Sequence, residues 1–169
     1  MKKFLVGVVI GVCLPLLAAY LFISFGGMPV ATKDRPLPME RAIARKALHA
    51  AMDRESGIPS PMAAVDDNLL AGARTYQAHC AVCHGMLGRP ESIIAKGMFP
   101  HPPQLLPPRK GVTDDPVGEI FWKVKHGIRL TGMPGYGENL TEPEMWQVSL
   151  LLLHADKLPE SAQVVLRGP

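Results

Sequence analysis

Cys80-Ala81-Val82-Cys83-His84 is a C-x-x-C-H sequence, the spacing of covalent haem attachment. Two thiols three positions apart at a helix end can each add to one haem vinyl group, and the next residue then presents an imidazole to the iron. A C-x-x-C pair by itself also serves as a dithiol redox pair or as half of a zinc site. Zinc needs further ligands at paired spacing, and the remaining cysteine, Cys13, lies in an apolar run, where it reads as a small apolar residue. A thioredoxin-like dithiol needs a βαβ pattern around it, and none is present.

Helical patterns flank the motif. Upstream, Asp66 or Asp67 offers an N-cap for a helix with Leu69, Leu70, Ala73 and Tyr76 on one side. Downstream, Pro90 to Lys96 suggests a helical turn closed by Gly97, and FPHPPQLLPP (Phe99 to Pro108) reads as an extended loop because proline removes helix donors. A second helix is expected from Asp115, with Pro116 at its first position, Ile120, Phe121 and Val124 buried, and a stop at Gly127. The last opens with the capping box Thr141-Glu142-Pro143-Glu144 and runs through Trp146, Val148, Leu150 and Leu153 to about His154. No internal repeat and no sustained strand pattern interrupts these signals.

Residues 66 to 155, over half the chain, resemble class I cytochrome c. The likeness rests on Gly72 and Tyr76 ahead of C-x-x-C-H, the proline-bearing loop Pro100 to Pro103, the segment Gly132-Met133-Pro134 and the final helix Thr141 to His154. The resemblance implies an all-α fold around one haem c bound through Cys80 and Cys83. It also implies close crossing of the first and last helices at Gly72, with Tyr76 and Trp146 filling the contact. By the same resemblance the iron is held by His84 and Met133, and a carbonyl of the Pro100 to Pro103 loop takes the free His84 N–H. A thioether ligand raises the reduction potential relative to a second imidazole.

Rival ligands are His126, His101, His79 and His154. His126 sits just before the Met133 loop, although a helix C-terminus beside Gly127 accounts for it equally. His79 reads as exposed. Met62, Met86, Met98 and Met145 read as core or loop filling. Arg129 and Trp122 are candidates for haem-propionate hydrogen bonds, with a solvated arginine the plainer reading.

The front of the chain differs. Phe4 to Phe25 is a run of 22 residues without a charge, long enough as a helix to reach about 33 Å and cross a bilayer. Pro15 inside it is tolerable in a membrane. Lys2 and Lys3 keep the N-terminus cytoplasmic and send the rest across. A cleaved signal peptide is the competing reading, with a shorter apolar core and a small-x-small site that does not follow Gly27. Residues 1–27 are therefore expected as a transmembrane anchor, 28–62 as a linker, and 63–169 as the cytochrome domain. Within the linker, MPVATKDRPLP (28–38) reads as stiff and solvated. In Met39 to Glu55, Ile43, Ala47, Leu48 and Ala51 recur at helical spacing beside Arg41, Arg45 and Lys46. That helix either packs on the domain or lies on anionic headgroups.

Residues 1–62 hold eight Lys/Arg against four Asp/Glu, and residues 63–169 hold ten against eleven. The near-neutral domain speaks against nucleic acid, and the basic front suits a membrane surface. The expected function is one-electron transfer at the periplasmic face of the inner membrane, between redox partners such as an oxidase, a quinol-oxidising complex or a dehydrogenase. No nucleophile, base and orienter set suggests catalysis. A haem enzyme or gas sensor would need an open sixth position, and a subunit of a larger membrane complex would use the same haem as a relay.

Overall fold

The computed structural model describes residues 1–168. Its elements are α1 (Lys2–Ser24), α2 (Glu40–Met52), α3 (Asp66–His79), α4 (Ala81–His84), α5 (Ile93–Gly97), α6 (Val117–His126), α7 (Glu142–Leu153) and α8 (Glu160–Arg167), with no strand among the described residues. The all-α class expected from the sequence is the one observed. Contacts divide the chain into a unit from Met1 to Arg41 and a second from Ala42 onward.

In the first unit, α1 is 23 residues long with a mean hydropathy of 2.6 and no buried residue. It is long and apolar enough to cross a bilayer, and Pro15 lies inside it without ending it.

The second unit is organised by α3, which crosses α7 and α8, while α6 packs on α7. Gly72 makes the α3–α7 crossing possible, because a Cβ there would run into the Gln147 carbonyl oxygen and meet Leu151 Cβ at 3.1 Å. Tyr76, Val148, Leu151 and Leu166 are fully buried in the resulting core. Trp146, buried in the same core, stacks on Phe121 of α6, with ring centroids 3.9 Å apart. Gln147 and Leu151 form the row facing Gly72, and Trp146, one residue earlier, lies about 100° round the helix.

Two helix starts also differ from expectation. Val65, in extended conformation, is the N-cap of α3, so Asp66 and Asp67 occupy the first turn, where their charge suits the helix dipole. Pro116 caps α6 from outside, and Asp115 accepts from Lys123 Nζ at 3.1 Å instead of joining the helix. The α7 capping box forms as expected: Thr141 Oγ1 accepts from Glu144 N, while the Glu144 carboxylate accepts from Thr141 N at 2.8 Å. A bond from the Thr141 hydroxyl (2.7 Å), together with the one from Thr141 N, holds the Glu144 carboxyl below the usual range.

Helix α8 has no counterpart in the sequence expectations. Its signal was present in Ala162, Val165 and Leu166 at helical spacing after Pro159. Ala162 and Leu166 are buried, Leu87 N donates to Leu166 O at 3.0 Å, and Gln77 Nε2 donates to Val165 O at 3.0 Å.

Candidate haem site

Cys80 ends α3, and α4 carries Cys83 and His84 one turn further. Gly85 then turns the chain at φ +86, a conformation that disfavours any residue with a Cβ. Four successive carbonyls at this turn each find a different partner: Val82 O accepts from Ser92 Oγ (2.5 Å), Cys83 O from Gln104 Nε2 (3.2 Å), His84 O from Leu105 N (3.2 Å) and Gly85 O from Tyr76 Oη (2.8 Å). The orphan carbonyls of a helix end are thereby satisfied by residues from α3, the α5 cap and the proline loop.

The His84 ring is fixed from the same loop. Nδ1 lies 2.8 Å from Pro103 O, and since a carbonyl only accepts, Nδ1 carries the proton. The neutral ring therefore keeps the Nε2 lone pair for a metal. Burial lowers the His84 pKa, opposed by the bond to Pro103, so the neutral form is the favoured one. The carbonyl partner that the sequence left open is thus Pro103.

Facing cleft residues come from the loop after α6. Ile128, Thr131, Gly132, Met133 and Pro134 line the same cleft as Cys80, Cys83 and His84, over a floor that includes Val124 and Leu152. The loop is tied largely to itself: Thr131 Oγ1 donates to Ile128 O (2.6 Å) and accepts from Met133 N (3.1 Å), and Ile128 N donates to Met133 O (3.2 Å). Tyr136 joins the two sides by donating its hydroxyl to His79 O at 2.8 Å.

The cleft opens to solvent around a cavity of about 130 Å³. Its apolar lining, thiol pair, neutral imidazole and thioether fit haem c. They fit a dithiol redox pair poorly, because burial, with the nearby Cys83 adding, pushes the Cys80 thiol up to about 12, whereas a reactive dithiol needs a lowered value.

The rival histidines separate by position. His126 is outside the cleft, tilted against Trp122 at 4.9 Å between centroids and 3.9 Å from Glu55. His154 and Arg129 are also absent from the lining, as is Trp122. His79 and His101 lie in the cleft wall. His79 is exposed there as expected, and His101 Nε2 sits 2.5 Å from Glu91 Oε1. Met98, read as filler, also lines the cleft, with its methyl against Gly132. Nothing in its spacing from C-x-x-C-H marks it; only the fold brings the two loops together.

Residues 67–150 match the family model described as cytochrome c oxidase, cbb3-type, subunit III. The chain is also similar to the quinohemoprotein alcohol dehydrogenase ADH IIB of Pseudomonas putida, 26% identical over 98 residues, which is 57% of this chain and 12% of that protein. It therefore spans about an eighth of that relative's length. No solved structure gives a significant match. The family match covers the C-x-x-C-H turn, the proline loop, the Met133 loop and most of α7, and the chain belongs to the class I c-type cytochromes, electron-transfer proteins whose cofactor is haem c.

Proposed function

We propose that the protein is a membrane-anchored carrier with a single haem, which passes electrons between redox partners at the periplasmic face of the inner membrane. The observation that carries this reading is the convergence of Cys80, Cys83, His84 and Met133 on one apolar cleft, with the His84 proton fixed on Nδ1 by Pro103 O. When bound, haem supplies a one-electron couple. Cys80 and Cys83 would hold it covalently, and His84 Nε2 and the Met133 sulfur would ligate its iron. The bond from His84 Nδ1 to Pro103 O keeps the ring from turning and strengthens Nε2 as a donor. Val124, Leu152 and the prolines exclude water, so little solvent has to rearrange when the charge changes.

Partners reach the cofactor at the mouth of the cleft. Val82, Ile93, Ile94 and Leu130 are exposed on segments that border or support it. An apolar rim on a near-neutral domain favours brief docking with weak salt dependence, as suits a carrier that must leave after each electron. A cbb3-type oxidase and a dehydrogenase are the partner classes suggested by the names of the matched family and relative. Fixing the carrier to the membrane by α1 raises its effective concentration near either.

The test is the optical spectrum of the reduced, detergent-purified, haem-loaded protein with and without carbon monoxide. An unchanged spectrum is expected, together with a carbon monoxide adduct in Met133→Ala. A gas-induced shift in the unaltered protein would overturn the two-ligand assignment and move a sensor or enzyme reading to the front.

A further inference from the structure

Met98 is half-buried and lines the cleft together with Met133. Its backbone belongs to the attachment side. Ser92 Oγ donates to Val82 O and accepts from Ala95 N at 3.0 Å, so the N-cap of α5 is tied to the turn between the two cysteines. Helix α5 carries that tie to its C-cap, Met98, whose N–H donates to Ala95 O at 3.2 Å.

The side chain then crosses to the other wall. Its methyl lies against Gly132, where any Cβ would run into it, and its sulfur is 3.6 Å from that Cβ position. Glycine leaves the room for this approach, and an unbranched thioether adapts to an irregular gap that a branched side chain would fill with strain.

The Met133 loop has need of such a contact. Both of its feet are sewn to α6: Gly127 N donates to Lys123 O (2.9 Å), Tyr136 N to Val124 O (3.0 Å) and Gly137 N to Lys125 O (3.0 Å). Between the feet, Ile128, Thr131 and Met133 bond to one another, which shapes the tip without attaching it. Met98 meets the tip one residue from Met133, and it comes from the wall that is bonded to the whole domain.

We propose that Met98 is a positioning residue for the sixth position of the iron: its methyl, packed on Gly132, holds the tip of the Met133 loop closed and so limits how readily a small ligand competes with the Met133 sulfur. This rests on the reading of Met133 as an axial ligand. The contact is broken whenever the tip lifts, so each opening forfeits the apolar burial and dispersion that it supplies. Met98 acts here by packing and not through its sulfur, and a leucine of similar volume keeps most of the effect.

The experiment uses the full haem-loaded chain in detergent, unaltered and as Met98→Ala and Met98→Leu. Two quantities are followed: amide exchange at Ile128 and Met133, and the slow binding of carbon monoxide to the reduced protein over hours. In M98A both are expected to rise about tenfold, the scale of truncating a half-buried methionine. M98L is expected to match the unaltered protein in both. Faster exchange at core amides such as Leu151, with the loop amides and the gas rate unchanged, is what a merely structural methionine gives, and overturns the proposal. Equal rises in M98A and M98L would assign the effect to the sulfur and overturn it likewise. Rapid gas binding by the unaltered protein would overturn Met133 as an axial ligand and the proposal with it, whereas loop protection lost in M98A beside a gas-inert parent upholds both.

Discussion

The two walls of the haem cleft are built differently. The attachment wall is held by partners distant in sequence: Tyr76, Ser92, Gln104 and Leu105 each bind one carbonyl of Val82 to Gly85, and Pro103 holds His84. The Met133 wall is held mostly by bonds inside Ile128 to Met133, with Leu130 exposed to 92% at φ +62. A wall bonded to the whole domain opens only when the domain does, whereas a loop bonded to itself can open locally. The two walls of the cleft therefore differ in local stability, the Met133 wall having the lower.

The largest test of this contrast removes the proposed covalent contact. Cys80→Ser with Cys83→Ser is expected to abolish haem retained on a denaturing gel and to cost the domain most of its cooperative melting, because the haem fills the cleft between both walls. If the double variant melted like the parent protein, the walls would be stable without their shared cofactor and the contrast would lose its basis.

Next in size is Gly72→Ala. The added Cβ runs into the Gln147 carbonyl, so α3 and α7 must separate and the attachment wall moves with α3. A loss of about 2 kcal/mol is expected in denaturant unfolding, within the range of overpacked helix contacts. The midpoint should shift with little change in slope.

The legibility of the sequence follows the same division. The C-x-x-C-H turn and the capping box of α7 depend on short spacings and were readable, and the close crossing at Gly72 followed from the family resemblance. Pro103 as the partner of His84, Met98 in the cleft and Trp146 on Phe121 depend on which loops meet in space, and no local spacing encodes that. Helix α8 had a readable apolar row, but it lay beyond the resemblance that ended near residue 155. The N-cap of α3 at Val65 went unread because two adjacent aspartates suit the first helical turn as well as the cap.

A matched pair of hydroxyl deletions sharpens the comparison. Tyr76→Phe takes the donor from Gly85 O in a fully buried setting and is expected to cost about 1–2 kcal/mol of global stability. Thr131→Val breaks two bonds inside the Met133 loop and is expected to cost under about 0.5 kcal/mol globally, since water reaches that loop. It should instead raise amide exchange at Met133 and the rate at which carbon monoxide binds the reduced protein. Equal global costs with no change in gas binding would mean that the loop does not open on its own.

The smallest effect belongs to Leu130. A leucine in the left-handed region is strained, and asparagine tolerates that backbone far better. Leu130→Asn is expected to stabilise the protein by about 0.5–1 kcal/mol. The same change removes an almost fully exposed apolar side chain from the docking rim, so electron transfer to a membrane-bound acceptor should slow while the optical spectrum stays constant. Stability and transfer rate moving in opposite directions would show that the strain is kept for the surface it presents. If both rose together, Leu130 would have no part in docking, and the rim would reduce to Val82, Ile93 and Ile94 on the attachment side.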